Sequence, residues 1–431
     1  MKNKRKNING NKLRDFLILW STQSLSQLGS SMTAFALTLW LYEETGSALR
    51  TATLTICSYA PYVIMSIFAG ALSDRFDKKK TMLVCDLLAA LSTITVLVLY
   101  LVNKLDVWHL YAVNAVSGLM NTVQQPASEV ATTLLIPKDQ YQRASGLQSL
   151  SRSLISILNP LLATAVYGLA GLELVIALDL GSFVIAFFAL FLFIRLPKVA
   201  ADKKDSILVL AKEGIVYLRN TPMILTMILF MSGINLVASA FDAALPGYVI
   251  PNPRGGTVML GVVTSFAGIA MILGSLLVSI LPKPRNRMRV VYLTMLISMG
   301  VENFVLAFSR APWTWCIGQV IGWICVPVMS ANYDVIFRST VPVELQGRVY
   351  ACRNTLQFFT IPIGFFLGGY MVDNIFEPVM ERHRNIESLV LLFGNGKGSG
   401  AAVTMFVLGL AGVFHCLFFG KKMMRYKFRE K

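Results

Sequence analysis

One short stretch decides the fold class of this chain: Gly70-Ala71-Leu72-Ser73-Asp74-Arg75-Phe76-Asp77-Lys78-Lys79-Lys80. Six of its last seven residues are charged, and the stretch lies between two long apolar runs. Because charged groups are costly inside a bilayer, such a turn is expected at the tip of a hairpin between two membrane-spanning helices. The rest of the chain can be compared with that expectation.

Composition supports a membrane protein. Hydrophobic residues make up 55% and charged residues 14% of the 431 positions, whereas a soluble domain has about 25% charged residues. The chain holds many runs near the roughly 20 apolar residues that a bilayer crossing needs. The expected partner of its +16 net charge is therefore the lipid bilayer, and nucleic acid is not expected.

The six cysteines lie in or beside apolar runs and form no CxxC pair. Such residues usually act as small buried hydrophobic side chains, so neither a disulfide framework nor a metal site is predicted. No cofactor is expected. The apolar run after the basic N-terminus is too long for a signal peptide, so it is interpreted as a retained first helix.

The apolar pattern predicts an all-α membrane protein with twelve transmembrane helices. Two of them are joined by a very tight turn at 168–171. The predicted spans are 16–42, 51–73, 81–102, 108–135, 147–169, 172–195, 222–249, 257–281, 289–309, 312–336, 349–375 and 399–420.

Basic residues fix the predicted orientation. An even number of spans puts both termini on one side of the membrane, and the loops on that side carry 31 of the 39 Lys and Arg residues. The opposite loops carry 7. Because cytoplasmic loops are enriched in Lys and Arg, both termini are predicted to be cytoplasmic, and the basic excess is a property of the topology.

A weak internal repeat predicts two six-helix bundles. A shift of 205 residues places Glu129 on Asp334 and Arg143 on Arg348, and it aligns the starts of five spans. Parallel repeats of this kind are a known transporter plan. The predicted organisation is an N-terminal bundle at 1–195, a cytoplasmic linker with a possible amphipathic helix at 196–221, and a C-terminal bundle at 222–431. A plain tether is the alternative for the linker.

The 70–80 stretch resembles the loop signature of the major facilitator superfamily. Within that family the chain is similar to the macrolide-efflux branch of bacterial drug:proton antiporters. The similarity to this branch rests on Trp20–Ser26, Thr45–Ala48, Asp74–Lys79, Asp86-Leu87, Ile176–Asp179 and Gly347–Val349. Asp77 stands where the signature usually has a second glycine, and the second-half counterpart at 274–289 has no acidic residue. An Asp-based gate contact is therefore expected only in the first half.

The resemblance implies a monomeric exporter in the bacterial cytoplasmic membrane that works by alternating access and proton antiport. Its expected partners are protons and a small amphiphilic substrate, with macrolides first. Two alternatives stay open: export of an endogenous siderophore, lipid or peptide, and a membrane sensor that transports nothing. No nucleotide-binding P-loop or hydrolase motif is present in the sequence. We therefore expect no enzyme activity and predict no catalytic residues.

A gate is predicted around the 70–80 stretch. Gly70 would let a helix approach closely, Asp74 would face the positive N-terminus of a helix, and the basic cluster would pair with acidic helix ends. The alternative is a positive anchor with no gating role. The gating candidates are Gly70, Asp74, Arg75, Lys78, Glu129, Arg143, Asp334 and Arg348.

Four carboxylates inside spans are candidates for proton coupling: Asp242, Asp86, Asp179 and Glu302. In the resembled family helices 1, 4, 7 and 10 line the cavity, which favours Asp242, because an apolar cavity disfavours the charged form. The alternative for Asp242 is a hydrated helix end. Structural pairing or snorkelling is the favoured interpretation of Asp86, Asp179 and Glu302.

The same four helices carry amide side chains that suit an amphiphilic ligand held mainly by apolar contact. Their alternative role is interhelical hydrogen bonding. The cavity candidates are Gln23, Gln27, Asn121, Gln124, Asn235 and Gln319.

Overall fold

The computed structural model describes residues 2–75, 77–136, 141–194, 196 and 207–426. In this part of the chain every regular element is helical. The first helices are α1 (Lys2–Thr45), α2 (Ala48–Arg75), α3 (Lys78–Leu101), α4 (Val107–Leu135), α5 (Tyr141–Phe188) and α6 (Ile207–Asn220). They are followed by α7 (Pro222–Val249), α8 (Thr257–Ile280), α9 (Arg287–Ile297), α10 (Asn303–Phe308), α11 (Pro312–Thr340), α12 (Val343–Phe358), α13 (Thr360–Tyr370), α14 (Glu377–Arg382), α15 (Glu387–Phe393) and α16 (Ser399–Met423).

All twelve predicted spans fall on these helices. Eight of the described helical stretches are long and apolar enough to cross a membrane. One of them, 146–193, is 48 residues long, which at about 1.5 Å per residue is roughly twice the 30 Å of a bilayer core. Counted as two spans, α5 brings these stretches to nine crossings. Helices α1, α2 and α4, with 44, 28 and 29 residues, are long enough for the other three, so the twelve-helix membrane fold is consistent with the structure.

The turn between those two spans lies at Gly171. Its φ of 72° and ψ of −174° interrupt the helical geometry of α5. A side chain would make this backbone conformation costly, whereas glycine adopts it freely. The glycine-bounded turn predicted at 168–171 is thus present as a break within one continuous run of helix.

Among the described residues, three spans include a short π-helical turn, in which the backbone carries one extra residue per turn. These turns are Ala189–Phe193, Ser298–Glu302 and Met371–Phe376. Such bulges shift the side chains that follow around the helix axis and are frequent at functional sites. Two of these turns include a carboxylate: Glu302 in Ser298–Glu302 and Asp373 in Met371–Phe376.

The chain divides into two compact units. The first unit comprises residues 1–38 and 57–204, and the second comprises 39–56 and 205–431. The break at 204 falls inside the predicted linker. The sequence, however, assigned residues 39–56 to the N-terminal bundle, whereas their contacts group them with the second unit.

The first unit has a continuous apolar core. Phe16 and Leu19 of α1 pack with Met82 of α3, Ala127 of α4 and Leu190 beyond the end of α5. These side chains are all buried, so the core ties together helices that are distant along the chain.

The linker helix α6 belongs to the second unit. The Gly214 backbone lies against Arg348 and Cys352 of α12, and the Tyr217 hydroxyl donates a hydrogen bond to the Thr340 carbonyl at 3.1 Å. Helix α6 therefore packs against the C-terminal bundle through the side of the helix that carries Gly214. A plain tether would not need such a contact.

Candidate functional site

Two carboxylates of the second unit form the candidate transport site, and we call Asp242 and Glu302 the carboxylate pair. Glu302 ends a π-helical turn, and only 5% of its surface is exposed. Asp242 lies on α7 and is half-buried. Helix α7, which carries Asp242, packs against the π-helical turn that ends at Glu302.

Helix α11 supplies the surroundings of Glu302. The Glu302 carboxylate lies directly over Gly322, where any side chain would overlap it. The side chain of the neighbouring residue, Trp323, lies close to the Glu302 carboxylate. Oxygen Oε1 of Glu302 is buried and has no hydrogen-bond partner among the described residues. The carboxylate is therefore only half satisfied.

Gln319 lies on the same face of α11, one turn before Trp323. It is 2% exposed, and its Nε2 is also buried without a hydrogen-bond partner in the described part of the chain. Buried polar atoms normally find partners, and exceptions call for an explanation. The Glu302 oxygen could accept a hydrogen bond or bind a proton, whereas the Gln319 N–H needs an acceptor, such as a polar group of a ligand or a water molecule.

In the first unit Asp86 is the centre of a hydrogen-bond network between three helices. Gln124 of α4 donates to one of its oxygens at 2.5 Å, and Gln23 of α1 donates to the other at 3.4 Å. The structure thus brings together one predicted proton carrier and two predicted cavity residues. This arrangement is the structural pairing that was favoured for Asp86.

Asp179 is also paired within the first unit. It is 4% exposed, and the Ser30 hydroxyl donates to it at 3.0 Å. Asp179 therefore connects the end of α5 to α1.

The remaining cavity candidates differ in exposure. Gln27 and Asn121 are exposed, and Asn235 donates a hydrogen bond to the Gln357 carbonyl at 3.0 Å. Because polar side chains are costly against lipid, the two exposed amides are best placed beside water. They fit a cavity better than Asn235 does.

Four of the predicted gate residues have side-chain surroundings that the structure does not describe: Gly70, Asp74, Arg75 and Arg143. Lys78 is the first residue of α3 and is buried. Glu129 is exposed and accepts a hydrogen bond from Gln125 at 3.5 Å.

The described gate residues have partners that the sequence did not indicate. Arg348 pairs with Glu213 of α6, and Asp334 pairs with Arg353 at 3.6 Å. The Arg353 guanidinium also lies 4.8 Å from the centre of the Tyr350 ring. In the predicted orientation, these contacts join the cytoplasmic ends of helices within the second unit.

Asp77 and Lys79 have structural roles in the 70–80 stretch. Asp77 precedes α3, and its side chain accepts a hydrogen bond from the Lys80 N–H at 3.0 Å, which makes it an N-cap. The Lys79 ammonium donates to the carbonyls of Phe191 and Ile194 at 2.9 and 2.8 Å. The aspartate that departs from the family signature thus caps a helix.

Two acidic residues escaped the sequence analysis. Asp373 and Glu377 lie one turn apart near the end of the eleventh span, and each accepts hydrogen bonds from the backbone at the start of another helix. The signal available in the sequence was a carboxylate, Asp373, inside the last turn of the apolar span 349–375.

Comparisons with known proteins agree with this architecture. Residues 19–365 match the family model described as Major Facilitator Superfamily. The chain belongs to this superfamily. It is accordingly a transporter with several membrane-spanning helices and not an enzyme.

Relatives of this facilitator chain are named for efflux. It is 25% identical over 368 residues to Macrolide efflux protein A of Streptococcus pyogenes, which covers 84% of this chain and 90% of that protein. It is 23% identical over 359 residues to Multidrug efflux pump Tap of Mycolicibacterium fortuitum, with 80% and 86% covered. Both are similarities at low identity.

The solved structures that it resembles share its fold. One is a bacterial homologue of the human lysosomal transporter Spinster in an inward-facing, unoccupied conformation, with a TM-score of 0.71, 13% identity, and 98% and 99% of the two chains covered. Another is the POT family transporter PepTSo, with a TM-score of 0.69, 12% identity, and 96% and 99% covered.

Proposed function

We propose that this transporter exports amphiphilic drug-like compounds, macrolide-type antibiotics first among them, in exchange for protons. The observation that carries the substrate class is the alignment with Macrolide efflux protein A, which extends over most of both chains. A second relative named for multidrug efflux supports the direction of transport. Alternating access between the two sides is the mechanism.

The carboxylate pair is the proposed proton site. Of the four candidate carboxylates, Asp86 and Asp179 have strong hydrogen-bond donors, whereas Glu302 has a buried oxygen without a partner in the described residues. The half-satisfied group gains most from a proton. Asp242 lies on α7, which packs against the turn that carries Glu302, so the two carboxylates are proposed to act together.

The proposed substrate surface is mainly apolar. A pocket of about 720 Å³ between α8 and α11 is lined by apolar side chains such as Phe266, Trp313 and Ile317, and drug-sized ligands occupy pockets of about 300–1,000 Å³. The exposed amides Gln27 and Asn121 are proposed to line the water-accessible path. Apolar contact with a few polar groups tolerates chemically varied ligands.

The setting proposed for this activity is the bacterial cytoplasmic membrane, with a monomeric chain and both termini in the cytoplasm. Export of an endogenous siderophore, lipid or peptide is the alternative for the same fold and site. A sensor that transports nothing is disfavoured by the half-satisfied Glu302, because a purely structural carboxylate would be paired.

The test is accumulation of a labelled macrolide in cells that make this chain, with and without a protonophore. We expect accumulation several-fold below that of cells without the chain, and the protonophore should restore it. Glu302→Gln should also restore it, because the amide cannot exchange a proton. The matched control is Glu381→Gln, at an exposed carboxylate that pairs only with Arg384 among the described contacts.

Three results would count against the proposal. Export that persists with the protonophore would exclude the proton gradient as the driving force. Full export by Glu302→Gln would exclude the carboxylate pair. Equal accumulation with and without the chain, at verified membrane levels, would remove macrolides and favour an endogenous substrate.

A further inference from the structure

The eleventh span of the second unit carries an unusual pair of helix anchors. Asp373 accepts three hydrogen bonds from the start of α2: the Ser47 hydroxyl at 2.6 Å, the Leu49 N–H at 2.8 Å and the Ala48 N–H at 3.1 Å. A carboxylate at a helix N-terminus is stabilised both by these charge-assisted bonds and by the helix dipole. It caps a helix from a position more than 300 residues away.

The start of α2 also fits closely against its neighbours. The Gly369 backbone lies against Leu49 and Ala48, and Gly247 of α7 lies against the Ala48 methyl group. Side chains larger than hydrogen at these two glycines would displace the α2 backbone from Asp373. We call Asp373, Gly369 and Gly247 the socket of α2.

Glu377, one turn further along, does the same for a different helix. It accepts the Gly398 N–H at 2.7 Å, and the Gly400 backbone at the start of α16 lies against the Glu377 backbone. One short segment therefore anchors two helix N-termini with two carboxylates. Helix α16 lies wholly in the second unit, so this second anchor has no reason to open.

Helix α2 differs from α16, because its contacts divide it. Residues 39–56 group with the second unit, and residues from 57 onward group with the first. The two groups of contacts therefore meet about two turns after residues 47–49. A bend or shift of α2 at that point would strain or release the contact that holds residues 47–49.

The environment of Asp373 permits release. The socket borders a polar pocket of about 470 Å³ whose lining includes Arg384 and Lys397. Once α2 leaves, basic groups and water are at hand to stabilise the exposed carboxylate. Backbone donors are rigid, so the same three bonds can form again without a search for side-chain rotamers.

We propose that Asp373 and the start of α2 form a reversible latch that holds the outer face of the transporter closed. The latch opens when the outer face opens and closes again when the helix returns, while Glu377 keeps α16 in place throughout. This proposal concerns conformation and is independent of the substrate and of the coupling ion.

The test measures access to a buried reporter. Thr51 lies one turn inside α2 and is 3% exposed, and Thr51→Cys is close to it in size. In full-length protein whose six native cysteines are replaced by alanine, a membrane-impermeant maleimide is added to intact cells. Glu44→Cys, at an exposed residue of α1, reports full labelling.

Asp373→Asn removes the charge and is expected to raise the labelling rate of Thr51→Cys about tenfold, as loss of hydrogen bonds to a charged group predicts. Ser47→Ala removes one donor of three and should give a smaller increase. Glu377→Gln should leave the rate unchanged. No substrate or gradient is needed, so failure of the export assay would not affect this result.

Unchanged labelling in Asp373→Asn, with normal membrane levels and a normal elution profile, would overturn the latch. An equal increase in Glu377→Gln would also overturn it, because it would show general loosening of this end of the bundle. If Asp373→Asn does not reach the membrane, Ser47→Ala decides alone, since it keeps the carboxylate and both backbone bonds.

Discussion

At the scale of single residues, Gly322 is the position on which the carboxylate pair depends most directly. A methyl group at this position would occupy the space of the Glu302 carboxylate. Gly322→Ala should therefore displace Glu302 from Trp323 and lower the stability by about 1–3 kcal/mol, the usual cost of overpacking. Proton-driven export should fall together with the unfolding midpoint of the purified protein.

The matched control for Gly322→Ala is Gly181→Ala. Gly181 has no atom within 4 Å of an added methyl group, so this substitution in α5 should change neither export nor the unfolding midpoint. Normal export by Gly322→Ala would show that the position of Glu302 over α11 is not required for coupling.

The residue scale is also where the sequence was least informative. The sequence identified Asp242 and Glu302 as ionisable groups inside spans. The free-energy cost of a charge in lipid depends on its depth in the bilayer, and the position of a residue within an apolar run indicates that depth. The sequence could not show that Glu302 faces Gly322 or that Asp86 faces Gln124. Such pairs depend on the rotation of each helix about its axis, which is set by packing against neighbours.

At the scale of helices, the apolar pattern was more informative. It predicted 222–249 and the structure has Pro222–Val249 for α7, since the length of an apolar run fixes where a chain crosses. The pattern did not reveal the π-helical turns, which follow from tertiary packing. It left α6 open between an amphipathic helix and a tether, because the charged surface of that helix fits both.

The docking of α6 on α12 gives a test at this scale. Gly214 lies against Arg348 and Cys352, so Gly214→Leu should force the two helices apart. Because cleavage by a protease follows the population of the open form, trypsin should cut after Arg219 roughly tenfold faster in this variant, the factor that about 1.4 kcal/mol of destabilisation gives.

Val216→Leu is the control for that variant, because Val216 is on the exposed side of α6. It should be cut at the parental rate. Equal rates in Gly214→Leu and the parent would mean that the contact at Gly214 does not hold α6 in place, and the ion pair between Arg348 and Glu213 would then be the better candidate.

At the scale of the whole molecule, the number of crossings rests on α5. Its stretch from 146 to 193 has the length of two crossings, and Gly171 supplies the break between them. With two crossings the chain has twelve and its termini share one side. With one crossing it would have eleven, and the termini would face opposite sides of the membrane.

Epitope tags therefore test the topology and the interpretation of Gly171 together. In intact cells, tags at both termini should be protected from an external antibody, and a tag inserted at Gly396, beside the start of α16 and with open space around it, should be bound. The basic loops on the terminal side carry 31 of 39 Lys and Arg residues, which favours this orientation. Exposure of one terminus alone would mean that α5 crosses once, and the break at Gly171 would then be a kink within the bilayer rather than a turn at its surface.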